Sequence, residues 1–335
     1  MIIRVAVDVL GGDRGSHEIV AGAVDASTAT IRPVLYGPAG LDAGGLEHVV
    51  TDGAVTTDDK PAAVVRAKPE ASLVRAVRAV AAGEADAVVS PGNTGATLAA
   101  GLLHVRRLPG AYRPSIAVVL PTGNGPSVLI DAGANADARP EHLLQFAHMG
   151  TVFAHEILDV AEPRVRLLSI GEEREKGNQL MRDAHVLLAA SSELRFEGNT
   201  EGHTLLDGEA DVVVCDGFTG NVALKTLEGT IRSVVSSLRA ELEGGMRGKL
   251  GGALIHPAVR KLRSRLDPDT HGGAYLLGLR GMVVIAHGSS SRTAIANAVR
   301  MAARGVEHDI VGRLHRSLPG RVVESARSTT PNGNK

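Results

Sequence analysis

Six times along this chain an apolar, β-branched run ends in a short turn of Gly, Asn, Ser, Thr and Asp. The turns fall at 8–13, 90–95, 131–135, 171–178, 216–221 and 287–290. A helical pattern follows most of them. Strand, turn and helix in that order build an α/β fold with a parallel sheet, whose functional loops lie at the carboxyl ends of its strands. Glycine lets backbone approach a ligand closely, and a fresh helix N-terminus offers unpaired N–H groups to an anion. The pattern points to an enzyme or binder for something phosphate-like or carbonyl-like.

Strands are expected at 2–9, 33–36, 48–51, 85–90, 115–120, 128–131, 165–170, 211–215 and 282–286. Several are continuous runs of Val, Ile, Leu and Ala, as expected of strands covered on both faces. Helices are expected at 16–26, 71–82, 94–103, 140–158, 177–190, 221–242 and 291–314. In the last, Ile295, Val299, Ala302, Val306, Ile310 and Leu314 form a stripe that reads as core or as a subunit contact. There is no internal repeat and no clear linker, so residues 1–318 read as one α/β domain and 319–335 as a disordered polar tail. One excursion, 244–266, holds Arg247, Lys249, Arg260, Lys261, Arg263 and Arg265 without a single acid. Leu250, Leu254 and Ile255 are interleaved. It is either a solvated basic helix pair or an amphipathic tip for an anionic membrane or an acidic protein.

The 36 basic and 37 acidic residues balance, and with no Trp, three Tyr and four Phe the chain has little to stack bases on. Nucleic acid is not an expected partner. One cysteine, Cys215, excludes an internal disulfide and a multi-cysteine metal site. No signal peptide is expected, and no apolar run approaches the roughly 18 residues that span a bilayer. Scattered Asp8, Asp13, Asp131 and Asp137 specify no metal site, and no metal is assigned.

Turn 216–221, Asp-Gly-Phe-Thr-Gly-Asn, is the sharpest local signal. Backbone N–H groups of Gly217 and Gly220 could hold an oxyanion, and Asn221 could donate to a carbonyl oxygen. Alternatively this is a tight βα turn in which Asn221 caps the helix. Cys215 follows three valines with no histidine nearby in sequence, which favours a buried hydrophobe over a nucleophile. Lys176 precedes Gly177, where a helix could begin, and would add a charge to an anion cradle; a solvated loop is the other reading. Ser90, Gly92, Asn93, Thr94 and Asn135 suit phosphate or phosphopantetheine, yet match neither a Walker loop nor a dinucleotide fingerprint. His287 with Ser289 lacks the Gly-x-Ser-x-Gly elbow of a serine hydrolase and reads as a serine cluster beside a cleft.

Taken together, Val7-Asp8 with Gly11-Gly12-Asp13, Gly92-Asn93-Thr94-Gly95, Gly133-Ala134-Asn135, Lys176-Gly177-Asn178, the run 211–227 and His287-Gly288-Ser289-Ser290 resemble the bacterial phosphate acyltransferases of phospholipid synthesis, the PlsX family. The resemblance spans about 3–314. Val9-Leu10 stand where that family commonly has Ala-Met, and Pro91 where it has a small residue. The resemblance implies an α/β/α sandwich related to isocitrate and isopropylmalate dehydrogenases and to phosphotransacetylase. It implies that acyl–acyl carrier protein and inorganic phosphate give acyl phosphate, which feeds a glycerol-3-phosphate acyltransferase, with no cofactor. It implies a homodimer in the cytoplasm, attached to the membrane periphery through the tip, where Leu250, Leu254, Ile255, Arg260 and Lys261 are expected to contact the membrane or the acidic carrier protein. Lys176 and Asn221 match the residues thought essential there. Gly177, Gly217 and Gly220 are then expected at the phosphate, and Ser90, Asn93, Thr94, Asn135 and Ser289 at phosphate or pantetheine. Two rivals remain: a phosphotransacetylase or dehydrogenase on the same sheet, and a membrane-docked scaffold without turnover.

Overall fold

The structure, a computed structural model, describes residues 1–56, 59–243 and 272–318, together with 245, 251, 255 and 257–260. In chain order its elements are β1 (Ile3–Asp8), α1 (Ser16–Ala26), β2 (Ile31–Gly37), β3 (Glu47–Val50), α2 (Pro61–Ala67), α3 (Ser72–Ala82), β4 (Ala87–Ser90) and α4 (Thr94–Ala100). They continue with β5 (Ser115–Thr122), β6 (Gly125–Ile130), α5 (Pro140–Ile157), β7 (Arg164–Ser169), α6 (Gln179–Ala190), β8 (Arg195–Glu201), β9 (Val212–Val214) and α7 (Gly217–Glu243). The last are β10 (Ala274–Leu277), β11 (Met282–Ile285), α8 (Arg292–Glu307) and α9 (Ile310–Ser317).

The eleven strands among the described residues join one sheet in the order β3-β2-β1-β4-β11-β10-β5-β6-β9-β7-β8. Alternate residues of each central strand serve two cores. Val5 and Val7 of β1, Val89 of β4 and Val284 of β11 face one layer with α1, α5, α6, α8 and α9. Ala6, Val88 and Val283 face the other, with α2, α3 and α4. On that second side, Leu129 of β6 and Val213 of β9 meet Leu224 and Leu227 of α7. Three layers explain the continuous apolar runs, because a strand covered on both sides has no solvent face to keep polar.

The sheet is parallel except at its centre. There β11 and β10, β10 and β5, and β5 and β6 pair antiparallel. Three reversals leave β6, β9, β7 and β8 running opposite to β1, β2, β3, β4 and β11. The six glycine-rich turns do follow strand ends, but as two sets pointing in opposite directions.

Two strands escape the sequence pattern. β10 is only four residues long, and β8 is a polar edge strand, Arg-Phe-Glu-Gly-Asn-Thr-Glu, with Gly198 at φ 92° and a register shift against β7. Polar edge strands lack the apolar alternation that reveals strands elsewhere. The helix expected over 291–314 is two. Asp309 sits in the left-handed region at φ 49°, and its carboxylate accepts from Gly312 N at 3.2 Å, capping α9. The stripe still packs as core: Ile295, Val299, Ala302, Ile310 and Leu314 are buried. Of the expected tip contacts, Ile255 and Arg260 are exposed, whereas Leu250, Leu254 and Lys261 lie outside the described residues, as does the tail at 319–335.

Candidate active site

Two turns of each set, 90–95 and 287–290 against 131–135 and 216–221, meet over the central strands, on the side carrying α4 and α7. A cleft of about 490 Å³ lies between those helices. Its floor is apolar: Ile116, Val118 and Leu120 of β5, with Leu98 of α4 and Leu224, Leu227 and Ile231 of α7. Its polar groups are Asn221, Lys225 and Glu228 of α7, Thr94 of α4, and His287 and Ser290 after β11. Gly92, Gly133 and Gly288 bring bare backbone to its walls.

α7 begins at Gly217 because Asp216 caps it. The Asp216 carboxylate accepts from Thr219 N at 2.9 Å and from Thr219 Oγ1 at 2.6 Å. Asn221 is therefore not the cap. It stands one turn further on, exposed, and its amide has no hydrogen-bond partner among the described residues. Its Oδ1 would lie 3.5 Å from a Cβ placed at Gly133.

The glycines of this turn do a different job from the one expected. Gly217 N donates to Asn135 O at 2.8 Å and Gly220 N to Asp216 O at 2.9 Å, so neither N–H is free for phosphate. A Cβ at Gly217 would lie 2.7 Å from Asn135 N, and one at Gly220 would run into the Asp131 carbonyl. Both residues are glycine so that α7 can seat on the Asp131–Asn135 turn. Asn135 is likewise structural, since its Nδ2 donates to Pro114 O and to Asp131 Oδ2, both at 2.8 Å. Cys215 is buried, burial pushes its thiol well up, and Sγ donates to Asp131 O at 3.4 Å; it is no nucleophile.

Ser90 is also withdrawn from the cleft. Fully buried, its Oγ donates to Asp8 Oδ2 at 2.8 Å and accepts from Gly92 N at 3.1 Å. Ser72 Oγ donates to Asp8 Oδ1 at 2.5 Å. Asn93 caps α4 by accepting from Ala96 N at 3.0 Å. Lys68 pairs with Asp59 at 3.0 Å, tying the loop before α2 to its end. Together these side chains fix the 90–95 turn, and Gly92, Thr94 and Gly95 are the members that reach the cleft.

Burial raises the Asp8 carboxyl above its ordinary value, against the pull of its two serine donors. Because the folded value lies above the unfolded one, the native state keeps a proton that the unfolded chain has lost. Stability then falls as pH rises from the ordinary carboxylate value through the raised one. Asp8→Asn, which has no such proton to lose, is expected to gain stability relative to the parent across that window. Urea titrations at several pH values measure the difference; a parallel pH course for both chains would contradict the assignment.

Lys176 and Gly177 follow β7, beside the end of β9. Gly177 takes φ 97°, and a Cβ there would press on Met181 Cβ and Ser169 Oγ, each at 2.7 Å. Asn178, by accepting from Met181 N at 3.0 Å, starts α6 two residues later than expected. Lys176 is exposed, has no ion-pair partner among the described residues, and does not line the cleft.

Sequence reading missed Lys225 and Glu228, and gave His287 no role of its own. Lys225 Nζ donates to Glu228 Oε2 at 2.8 Å and lies 3.1 Å from His287 Nε2; His287 Nδ1 lies 3.0 Å from Ser289 Oγ. The available signal was spacing: Lys225 is four residues after Asn221 and shares its face of α7.

Residues 3–313 match the family described as fatty acid synthesis protein. This chain belongs to it. A phosphate acyltransferase from Heliobacterium modesticaldum is 42% identical over 96% of this chain and 99% of its own length. One from Thermosynechococcus vestitus is 46% identical over 93% and 94%. The chain is accordingly an enzyme with phosphate acyltransferase activity in fatty acid and phospholipid synthesis. Among solved structures, a branched-chain phosphotransacylase from Enterococcus faecalis superposes with a TM-score of 0.60 at 17% identity, covering 92% of this chain and all of that one. A phosphotransacetylase from Staphylococcus aureus gives 0.57 at 15%, covering 91% and 94%. A 4-hydroxythreonine-4-phosphate dehydrogenase from Klebsiella pneumoniae gives 0.50 at 14%, covering 91% and 100%. At such identities the likeness is one of fold. It agrees with the expected sandwich shared by phosphotransacetylases and dehydrogenases.

Proposed function

We propose that this phosphate acyltransferase takes a long-chain acyl group from acyl carrier protein and moves it to inorganic phosphate. The observation that carries this reading is an unpaired Asn221 amide above an apolar floor, in a cleft built from the ends of both half-sheets. An acyl chain lies along Ile116, Val118 and Leu224, with its thioester carbonyl at Asn221. A phosphate oxygen attacks the carbonyl carbon, the carbon–sulfur bond breaks, and the acyl–oxygen bond forms. The proton of monohydrogen phosphate ends on the departing pantetheine sulfur, so charge is conserved. Phosphate is already a nucleophile at neutral pH; the protein needs only to orient two partners and stabilise the growing oxyanion. Asn221 donates to that oxygen, and Lys176 meets the phosphate from the β7 side.

The acyl phosphate is a reactive anhydride, suited to a following acyltransferase that acts on glycerol 3-phosphate. Among the described residues no helix is long and apolar enough to cross a membrane. We read the 244–266 tip as a peripheral contact with an anionic membrane, supported by exposed Ile255 and Arg260. Exposed Phe218, Val222 and Val234 on α7 support pairing of two copies. Vesicle flotation without binding would remove the membrane contact, and a monomer in light scattering would remove the dimer.

The test is phosphate-dependent release of free carrier protein from its palmitoyl thioester, with hydroxylamine trapping of the acyl phosphate. Wild type is expected to yield trapped product, and Lys176→Ala to raise the phosphate KM by roughly tenfold or more, the loss of one charged hydrogen bond. Turnover of acyl-CoA but not of the carrier thioester would move the donor to the phosphotransacetylase reading. A wild-type phosphate KM in Lys176→Ala would withdraw Lys176.

A further inference from the structure

Among the described residues Lys225 is the cation that lines the cleft, and its surroundings set the tautomer of His287. An ammonium carries three N–H donors and no acceptor. At 3.1 Å from Lys225 Nζ, His287 Nε2 is therefore the acceptor, and the imidazole proton sits on Nδ1. Nδ1–H then donates to Ser289 Oγ at 3.0 Å. The 3.5 Å approach of Ser289 N to the same nitrogen is too long to reverse this assignment. The outcome is a chain of four side chains, Glu228, Lys225, His287 and Ser289, linking α7 to the turn after β11. Among the described residues it leaves two donors uncommitted: the third N–H of Lys225 and the hydroxyl hydrogen of Ser289.

We propose that Lys225 and Ser289, coupled through His287, hold the phosphate that attacks the acyl group bound at Asn221. Asn221 and Lys225 are four residues apart on α7, so their side chains rise from one face with about 5–6 Å between Cβ atoms. In a productive pose the attacking oxygen stands about 3–3.5 Å from the carbonyl carbon. One anchor on the carbonyl oxygen and another on a phosphate oxygen, one helical turn apart, suit that separation. Lys225, His287, Gly92 and Gly288 line the cleft, with Ser289 exposed beside them at its edge, and the two glycines add no side chain that would obstruct a tetrahedral anion there. Glu228, with its side chain 15% exposed, pairs with the ammonium at 2.8 Å and keeps Nζ beside His287. The pair Glu228–Lys225 is therefore more than an exposed i,i+3 ion pair, because its cation is shared with a histidine in the cleft wall.

This proposal rests on the phosphate acyltransferase activity but not on the identity of the acyl donor. Initial rates are measured against phosphate and against donor, with both palmitoyl–carrier protein and palmitoyl-CoA. Lys225→Ala is expected to raise the phosphate KM roughly ten- to a hundredfold while the donor KM stays within about threefold. Lys225→Arg, which keeps a cation, should recover much of the loss. His287→Ala breaks the coupling and should raise the phosphate KM by a smaller factor. A phosphate KM within twofold of wild type in Lys225→Ala overturns the proposal, whatever happens to kcat or the donor KM. Inactivity of wild type with one donor reflects on the donor alone, because the phosphate KM is read with the other.

Discussion

Asn221→Ala is expected to lower kcat for acyl transfer by about a hundred- to a thousandfold, the range for removing one oxyanion donor. Both KM values should change little, because the amide interacts most strongly with an oxygen whose charge grows only as the bond forms. Substitution leaves no buried partner unsatisfied: Asn221 is exposed, makes no hydrogen bond among the described residues, and is not the α7 cap. Thermal stability should therefore stay near wild type, within the half kcal/mol or so usual for exposed positions. Asn221→Asp should be at least as slow, since it replaces the donor by a carboxylate that repels both oxyanion and phosphate. Hydroxylamine trapping under saturating phosphate measures the loss directly. A near-wild-type kcat in Asn221→Ala would remove Asn221 from the oxyanion position and leave the cleft without its central group.

What was legible in the sequence follows from what each signal depends on. Nine of the strands and their turns can be read locally, because double coverage produces unbroken apolar runs and glycine marks the ends. The opposed directions of the half-sheets cannot, since they depend on three antiparallel steps in a row, and the middle one, β10 on β5, joins strands distant in sequence. The same limit governs the site. Gly217, Gly220, Ser90 and Asn135 have the chemistry of anion binders, but burial and internal hydrogen bonds commit them to the scaffold. Lys225 and His287, 62 positions apart, meet only because α7 crosses toward the end of β11. Local pattern shows where ligand-facing turns lie. Which of their atoms remain unpaired is decided by tertiary contacts.

Asp131→Ala is expected to be the most destabilising single change near the site, costing about 3–5 kcal/mol, because several buried N–H groups lose their shared acceptor at once. The carboxylate is fully buried. Oδ1 accepts from Ile116 N at 2.9 Å, Ala134 N at 3.0 Å and Gly133 N at 3.2 Å. Oδ2 accepts from Asn135 N at 2.7 Å and Nδ2 at 2.8 Å. Alanine leaves four backbone N–H groups without this acceptor, each costing on the order of 1–3 kcal/mol where water does not reach it. Asp131→Asn fares better but still sets an NH₂ against donors on one side, so it should fall between alanine and the parent. Urea denaturation measures both; a loss under 1 kcal/mol in Asp131→Ala would show that the turn keeps its shape without the carboxylate. The turn also carries the site, because Gly217 N is anchored on Asn135 O and Asn221 stands against Gly133. Asp131→Ala should therefore lose acyl transfer at temperatures where it is still folded, whereas a purely global effect would leave activity intact until the unfolding transition begins.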